Sequence, residues 1–154
     1  MTRKTAREIA LQLCFAAAAA DLEPTELMET FFEQEHYRSL GEEQELYRDY
    51  PDETQMAYIR TLTTLVTEKR EELDDYIRRY AHGWKPERIS RTALAALRCA
   101  MCEVLYMDDV PDAAALNEAV ELDKGYDEPE TVAFVNGVLG GFMRAEFPKQ
   151  DGQE

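Results

Sequence analysis

Residues 1–20 read MTRKTAREIALQLCFAAAAA, and this stretch decides the fold class. Alanines fill positions 16–20, and the apolar side chains before them are Ile9, Leu11, Leu13 and Phe15. A helix that is apolar on nearly every side is stable only when other elements cover it. The sequence therefore predicts a central helix that ends near Ala20 and is surrounded by other helices.

The polar start of this helix contains a capping signal. Thr5 and Glu8 have the spacing of a capping box, in which a hydroxyl and a carboxylate satisfy amides that are free at a helix start. Arg3, Lys4 and Arg7 stand beside them, so the first twenty residues carry three cations and one acid. We expect the helix to begin near Thr5, with Arg3 and Lys4 just before it.

The rest of the chain also shows helical periodicity. We expect helices over about 25–41, from about 52 to 80 with a bend near 69–72, from Ser90 onward, over 112–124 and from Pro129 onward. Residues 42–53, EEQELYRDYPDE, are dense in charge and are interpreted as a solvated connection, with or without a short helix. No segment alternates apolar and polar residues as a half-buried strand does, so the predicted fold is all-α.

The length of 154 residues favours one domain. A chain of this size buries roughly two-thirds of its unfolded surface. Its eight tyrosines and six phenylalanines indicate a globular protein, because disordered chains of high charge are poor in aromatic residues. We expect a single helical domain over 1–148 and a polar C-terminal tail over 149–154.

The formal net charge of −15 restricts the possible partners. The summed field of such a chain repels phosphates at long range, which argues against a general affinity for nucleic acid or anionic membranes. A contact with nucleic acid is therefore expected only where a few cations touch a phosphate directly. Besides the basic head formed by Arg3, Lys4 and Arg7, the chain has a second basic region. It contains Arg78, Arg79, Lys85, Arg88 and Arg91. It is either a second anion surface or a set of ion pairs, and the ion pairs are the favoured interpretation.

The sequence also indicates a compartment. No apolar run reaches the roughly 20 residues of a membrane span, and no cleavable signal pattern opens the chain. Three cysteines, an odd number, without a secretion signal indicate reduced thiols rather than a disulfide framework. We expect a cytoplasmic protein with no membrane partner.

Residues that carry chemistry in enzymes are sparse. Cys99 and Cys102 form a C-x-x-C, but at helical spacing among apolar residues, where cysteine acts as a small buried hydrophobe. A zinc site would need two more soft ligands, and His36 and His82 lie in different segments. No phosphate loop, nucleophile elbow or dinucleotide motif is present. We predict no catalytic residue, no metal and no cofactor.

Two asparagines interrupt apolar helical segments, Asn117 in LNEAVEL and Asn136 in AFVNGVL. Asparagine is a poor helix former and is costly to bury without a partner. The favoured interpretation is that each hydrogen-bonds to a neighbouring helix end. Gly137, Gly140 and Gly141 likewise indicate close packing, because glycine destabilises a helix interior.

The segments ALNEAVEL and FVNGVL, preceded by DDVP and RTALAALRCAMCEVLY, resemble the family of the bacterial transcription antitermination factor NusB. The opening RKTAREIALQLCFA is similar to the first helix of that family. The resemblance covers nearly the whole chain except the acidic stretch near 33–53. It implies a compact fold of two small helix bundles and no catalytic activity. It also implies binding of a single-stranded boxA-like RNA, pairing with the ribosomal protein NusE, and membership of an RNA polymerase antitermination complex that supports ribosomal RNA transcription.

The resemblance assigns RNA contacts to two places. The basic head, Arg3, Lys4 and Arg7, matches the family's RNA-contacting head, and the start of the last helix contributes Tyr126, Glu130 and Phe134. A helix start attracts phosphate through free amides and the positive end of its dipole. Single-stranded RNA is then read by stacking and base-edge hydrogen bonds. Helices of the second half are expected to dock NusE, and Phe134 is alternatively a core residue.

Three other functions compete with this one: an acidic adaptor, an enzyme fragment and a self-associating structural protein. The first is an acidic helical adaptor of the same fold, which binds a basic protein such as NusE and has little RNA affinity of its own. The second is an enzyme fragment, because a NusB-like domain precedes the catalytic domain of some ribosomal RNA cytosine methyltransferases. The sequence reaches Glu154 without a cofactor-binding αβ unit, so we do not expect the enzyme.

Overall fold

The structure is a computed structural model that describes residues 1–148. The predicted polar tail at 149–154 lies outside the described residues. Within 1–148 every regular element is helical, so the all-α prediction is confirmed. Contacts divide the chain into two compact units, Met1–Lys69 and Arg70–Glu154. The single domain over 1–148 stays a prediction.

The first unit surrounds its N-terminal helix. Its elements are α1 (Arg3–Ala20), α2 (Pro24–Phe31), α3 (Gln34–Glu43), a 3-10 turn (Glu45–Tyr47) and α4 (Glu53–Glu68). Helix α1 packs along α4 and also contacts α2 and the 3-10 turn. Ile9 and Leu13 of α1 and Ile59 and Leu62 of α4 are almost completely buried. The predicted central helix ending at Ala20 is therefore confirmed.

The predicted start of α1 is wrong by two residues. The helix begins at Arg3, and its cap is Thr2, whose hydroxyl accepts a 3.1 Å hydrogen bond from the backbone N–H of Thr5. Thr2 has the extended backbone of an N-cap residue. Arg3 and Lys4 consequently lie within the first helical turn instead of before it.

The predicted helix over 25–41 is two helices. Glu33 lies between α2 and α3, and its carboxylate accepts hydrogen bonds from the backbone N–H groups of Glu35 and His36. This side-chain cap begins a new helix where periodicity alone indicated continuation. Gly41, which was expected to end the helix, lies inside α3.

The segment 42–53 contains part of a core, so its interpretation as a solvated connection is wrong. Five aromatic rings form a cluster with neighbouring centroids 4.8–6.2 Å apart: Phe31, Phe32, Tyr37, Tyr47 and Tyr50. The buried Tyr37 hydroxyl donates to the Asp49 carbonyl oxygen over 2.9 Å. Burial raises the pKa of Tyr37 to about 12, so the phenol remains a donor at neutral pH. The charged side chains of the segment lie outside this ring cluster.

The second unit surrounds α6. Its elements are α5 (Arg70–Tyr80), a 3-10 turn (Pro86–Arg88), α6 (Arg91–Tyr106), α7 (Asp112–Asp123) and α8 (Pro129–Glu146). Helix α6 contacts α5, α7 and α8. Most of its residues are buried, including Cys99 and Cys102, which confirms the expected burial of these thiols. Ser90 caps α6 as predicted, since its hydroxyl accepts from the Ala93 N–H over 3.0 Å.

A largely buried ion pair joins α5 to α6. Arg98 Nε lies 2.7 Å from Asp74 Oδ1, and Arg98 Nη2 lies 3.1 Å from Asp74 Oδ2. Arg98 is only 8% exposed, so its charge would be unfavourable without this partner. The two parallel hydrogen bonds also fix the orientation of the guanidinium group.

The predicted helix from about 52 to 80, with a bend near 69–72, is two helices: α4 ends at Glu68 and α5 begins at Arg70. The predicted helix over 112–124 and the predicted start at Pro129 agree with α7 and α8. Among residues 1–148, no helix combines the length and the apolar character that a membrane crossing requires.

Gly41 and Gly137 form a matched pair of helical glycines for a stability test. A Cβ atom at Gly41 would lie 2.5 Å from the Tyr47 carbonyl oxygen, whereas one at Gly137 would meet no atom within 4 Å. We expect Gly41→Ala to lower the free energy of unfolding by about 1–3 kcal/mol, because backbone must move. Gly137→Ala should raise it by about 0.5–1 kcal/mol, since alanine loses less entropy on folding. Urea denaturation followed by circular dichroism measures both, and two effects of the same sign would contradict the close approach at Gly41.

Candidate nucleic-acid interface

The basic head of the first unit presents two of its three cations to solvent. Arg3 and Lys4 are exposed, whereas Arg7 is only 5% exposed. Neither Arg3 nor Lys4 forms a side-chain ion pair with any residue between 1 and 148. Two positive charges are therefore available at the first turn of α1.

The ring of Tyr58, in α4, packs against two of the basic side chains of the head, Arg3 and Arg7. The guanidinium carbon of Arg3 lies 4.3 Å from the centre of the Tyr58 ring, and that of Arg7 lies 5.7 Å from the same centre. Tyr58 is itself 5% exposed, so the ring is held in place by packing. A cation over a ring face is stabilised by about 0.5–1 kcal/mol or more. The ring thus restricts where the Arg3 charge can lie.

These cations do not stabilise the helix that carries them. Positive side chains at a helix N-terminus are repelled by the dipole. Arg3 and Arg7 are also four residues apart. Two like charges at this spacing destabilise a helix by about 0.2–0.5 kcal/mol. The first turn of α1 contains no acidic residue to offset them. The placement of Arg3 and Lys4 is better explained by an anionic partner than by the fold.

A groove beside the head has the opposite charge. Its lining includes three carboxylates, those of Glu8, Glu45 and Asp49, against two cations, the Arg48 guanidinium and the N-terminal ammonium of Met1. Arg48 is paired with Glu45 over 2.7 Å. A phosphate would be repelled from this groove, so an anion contact is confined to the exposed side chains of Arg3 and Lys4.

The other three predicted RNA contacts lie together in the second unit. Tyr126 is 40% exposed in the loop between α7 and α8, and Glu130 is exposed in the first turn of α8. Phe134 follows Glu130 by one helical turn and is half-buried. Glu130 can only accept hydrogen bonds, so it suits the amino group of a base and not a phosphate. The Phe134 ring is partly available and partly packed, which fits both of its sequence interpretations.

Trp84 is the neighbour of this group that the sequence did not single out. Its ring centroid lies 4.5 Å from that of Phe134, with 42° between the ring planes, and Trp84 is 40% exposed. The available signal was the one tryptophan of the chain, placed next to Lys85 in a loop. Only the fold brings it against Phe134, fifty residues away in sequence.

A buried carboxyl, that of Asp123, and the partly exposed carboxyl of Asp127 support the loop that carries Tyr126. Asp123, the last residue of α7, is fully buried, and neither carboxylate oxygen accepts a hydrogen bond from a described residue. Burial, aided by the Asp127 carboxylate, raises the pKa of Asp123 to about 7. A protonated Asp123 can donate to Asp127, which accepts from the Ser90 hydroxyl over 3.0 Å. These contacts connect the end of α7, the loop and the start of α6.

The favoured interpretation of the two asparagines is wrong, because both are exposed. Asn136 lines a groove of about 540 Å³ with Val120, Lys124, Asp127, Pro129, Val132 and Ala133. The helical period places both asparagines away from the buried faces of α7 and α8. The glycines differ from one another, since a Cβ at Gly137 would meet open space and one at Gly140 would lie 3.1 Å from the Arg144 guanidinium.

The basic middle region contains ion pairs for part of its cations, while the second anion surface stays a prediction. Arg78 pairs with Asp75, and Arg79 pairs with Glu146 over 3.0 Å. Lys85, Arg88 and Arg91 are exposed and form no side-chain ion pair with a residue in 1–148. The favoured ion pairs are therefore present for the first two cations only.

The raised pKa of Asp123 predicts an unusual pH dependence of stability. Between its ordinary value of 3.8 and about 7, the folded state binds more protons at Asp123 than the unfolded state does. The contribution of this group to the free energy of unfolding should therefore fall as the pH rises, by up to about 1.4 kcal/mol per pH unit. Asp123→Asn removes the titration and should be more stable than wild type at pH 8, with a smaller gain at pH 5.

Urea denaturation at pH 5, 6, 7 and 8 tests this dependence. Asp109→Asn is the matched control, because Asp109 is an exposed acid of the same unit. A stability difference between Asp123→Asn and wild type that stays constant across the four pH values would contradict the raised pKa.

Comparison with known proteins connects these features to a family. The sequence pattern that defines the NusB family matches residues 4–144. The transcription antitermination protein NusB of Acetivibrio thermocellus is 34% identical over 154 residues, covering 100% of this chain and 97% of that protein. The corresponding protein of Carboxydothermus hydrogenoformans is 37% identical over 140 residues, covering 91% of each.

Solved structures show the same fold. T. maritima NusB aligns with a TM-score of 0.75 at 23% identity, covering 94% of this chain and 92% of that one. A chain of the complex of the antitermination factors NusB and NusE with dsRNA aligns with a TM-score of 0.75 at 22% identity, covering 93% and 96%. With the family pattern matched over nearly the whole length and several relatives above 30% identity, this chain belongs to the NusB family.

Proposed function

We propose that this protein is an RNA-binding transcription antitermination factor that binds a single-stranded boxA-like RNA together with NusE. It works by recognition and tethering within an RNA polymerase antitermination complex that supports ribosomal RNA transcription. It acts in the cytoplasm, without a cofactor and without catalysis. The observation that carries the proposal is the pair of exposed cations Arg3 and Lys4, which form no ion pair with a described residue and stand at a helix start that they destabilise.

The charge of the protein supports a local RNA contact. With a net charge of −15, the molecule as a whole repels RNA. At physiological ionic strength, however, charges are largely screened beyond about 8 Å. Arg3 and Lys4 can therefore contact phosphates directly while most of the acidic surface is screened. Arg7 is buried, so its role in the proposal is to add positive charge beneath Arg3.

The second unit supplies the groups that would recognise bases. Tyr126 presents an exposed ring, and Glu130 presents a carboxylate that accepts from base amino groups. NusE supplies a basic surface that the acidic faces of this protein would attract, as charge complementarity increases association rates. A related NusB has been crystallised with NusE and dsRNA, which supports both partners for the family fold.

The test of this proposal is fluorescence-anisotropy binding of a labelled boxA-like RNA across a salt series, with and without NusE. Arg3→Ala/Lys4→Ala should flatten the slope of log affinity against log salt by about 1.4, at about 0.7 per single-strand phosphate contact. The matched control is Arg38→Ala/Arg48→Ala, which removes two exposed cations from the same unit. A duplex of the same sequence tests the preference for single strands.

Two outcomes would contradict the proposal in different ways. If the head variant keeps the wild-type slope, the head is only a helix start and the RNA contact lies elsewhere. If wild type binds NusE but no RNA, alone or with NusE, the acidic adaptor function replaces the proposed one.

A further inference from the structure

Trp84 offers a large aromatic surface that the fold does not cover. One side of the indole packs on Phe134 at 4.5 Å between centroids, and 40% of the residue remains exposed. A tryptophan packed on one side is held in a defined orientation, unlike a freely rotating surface ring. Because Phe134 is half-buried beneath it, Trp84 is the more accessible ring of the pair.

Three cations accompany this ring. Lys85, Arg88 and Arg91 lie within seven residues of Trp84, are exposed, and lack an ion pair with any described residue. Glu87 is the one acid in the segment 82–91. The two arginines just upstream, Arg78 and Arg79, are paired with carboxylates and so differ from these three. A positive segment that stays unpaired in a protein of net charge −15 indicates an anionic partner.

Hydrogen bonds attach the segment to its neighbours and to the predicted RNA-contacting loop. The Trp84 N–H donates to the Ala81 carbonyl over 3.1 Å, and the Arg88 N–H donates to the Lys85 carbonyl over 2.9 Å. Ser90, at the end of the segment, donates to the Asp127 carboxylate over 3.0 Å. Asp127 follows Tyr126 directly, so the hydrogen bond and the Trp84–Phe134 contact both tie this segment to the start of α8.

We propose that Trp84, with Lys85, Arg88 and Arg91, forms a stacking site for a base of single-stranded RNA, with phosphate contacts on either side. The inference rests on the proposed function and extends it to a segment outside the head and outside the three contacts Tyr126, Glu130 and Phe134. An exposed indole face stacks on any base, and neighbouring cations follow the backbone. Phe134 then acts as a positioning residue that orients Trp84, instead of presenting its own ring.

An unpaired cationic segment around an open ring favours nucleic acid over an acidic protein. Bases offer a flat surface that matches the indole, and a phosphate follows each base at a short, regular interval. Arginine can also hydrogen-bond a phosphate with two N–H groups at once. An acidic protein surface would also bind these cations. It has no flat group, repeated at a regular interval, that could stack on the Trp84 ring.

The single tryptophan makes the experiment direct. The intrinsic fluorescence of wild-type protein is titrated with an unlabelled boxA-like RNA, and the affinity is measured in parallel by anisotropy. We expect RNA to quench the Trp84 emission with the same midpoint as the anisotropy curve. Trp84→Leu should weaken binding at least about fivefold, the lower end of what one stacked base contributes. Phe147→Leu is the control, since Phe147 is an equally exposed ring of the same unit that packs on Phe142.

A charge variant tests the phosphate contacts separately. Lys85→Gln/Arg88→Gln/Arg91→Gln should flatten the salt slope by about 2 if all three cations contact phosphate. Arg78→Gln/Arg79→Gln, in which the cations are paired, should leave the slope close to the wild-type value. Circular dichroism of each variant verifies that it folds.

The outcomes separate this inference from the proposed function. If RNA binds and the head variant alters the slope, but Trp84 emission and the Trp84→Leu affinity are unchanged, the stacking site is overturned and the proposed function stands. If wild type binds no RNA even with NusE, both are overturned. If Trp84 emission responds to a protein partner and not to RNA, the segment is a protein contact and the RNA assignment is overturned.

Discussion

The enclosure of α6 on all sides is the constraint on which the second unit depends. Nearly every residue from Ala93 to Val104 is buried, so three other helices must cover this one. Small residues, mainly alanine, allow those helices to approach closely, and one of the two buried charged residues of α6, Arg98, is paired with Asp74. Helix α1 imposes the same condition on the first unit, where α4, α2 and the 3-10 turn surround it. The charges on the surface can therefore change without altering the packing of either core.

The acidic surface and the proposed RNA contacts are compatible because electrostatic effects differ with distance. Long-range repulsion from a charge of −15 lowers the encounter rate, whereas a direct phosphate contact depends on the few charges within about a Debye length. Arg3 and Lys4 can make such contacts because they are exposed, although the carboxylates of Glu8 and Asp49 line a groove beside them. A protein of this kind gains selectivity, because RNA without the matching local contacts is repelled.

The region around α8 shows how buried groups position exposed ones. Ser90 caps α6 with its hydroxyl oxygen and donates to Asp127 with its hydroxyl hydrogen, so one side chain serves both a helix start and a loop. Asp123 lies beneath that loop without a cationic partner, and burial holds its pKa near 7. The exposed Tyr126 and the Trp84–Phe134 pair are attached to this framework. Their positions follow from buried hydrogen bonds and packing, not from the surface residues themselves.

The sequence by itself determined the all-α class, the C-terminal end of α1, the cap at Ser90, the burial of Cys99 and Cys102 and the family, because these depend on local periodicity, capping chemistry and residue order. It also identified the basic head. It could not show that Thr2 caps α1, that Glu33 divides a helix, or that Tyr47, in a charge-dense segment, is buried against Tyr37. It could not place Asn136 in solvent or Trp84 on Phe134. Only the tertiary structure decided these points, because burial and pairing depend on contacts between residues that are distant in sequence.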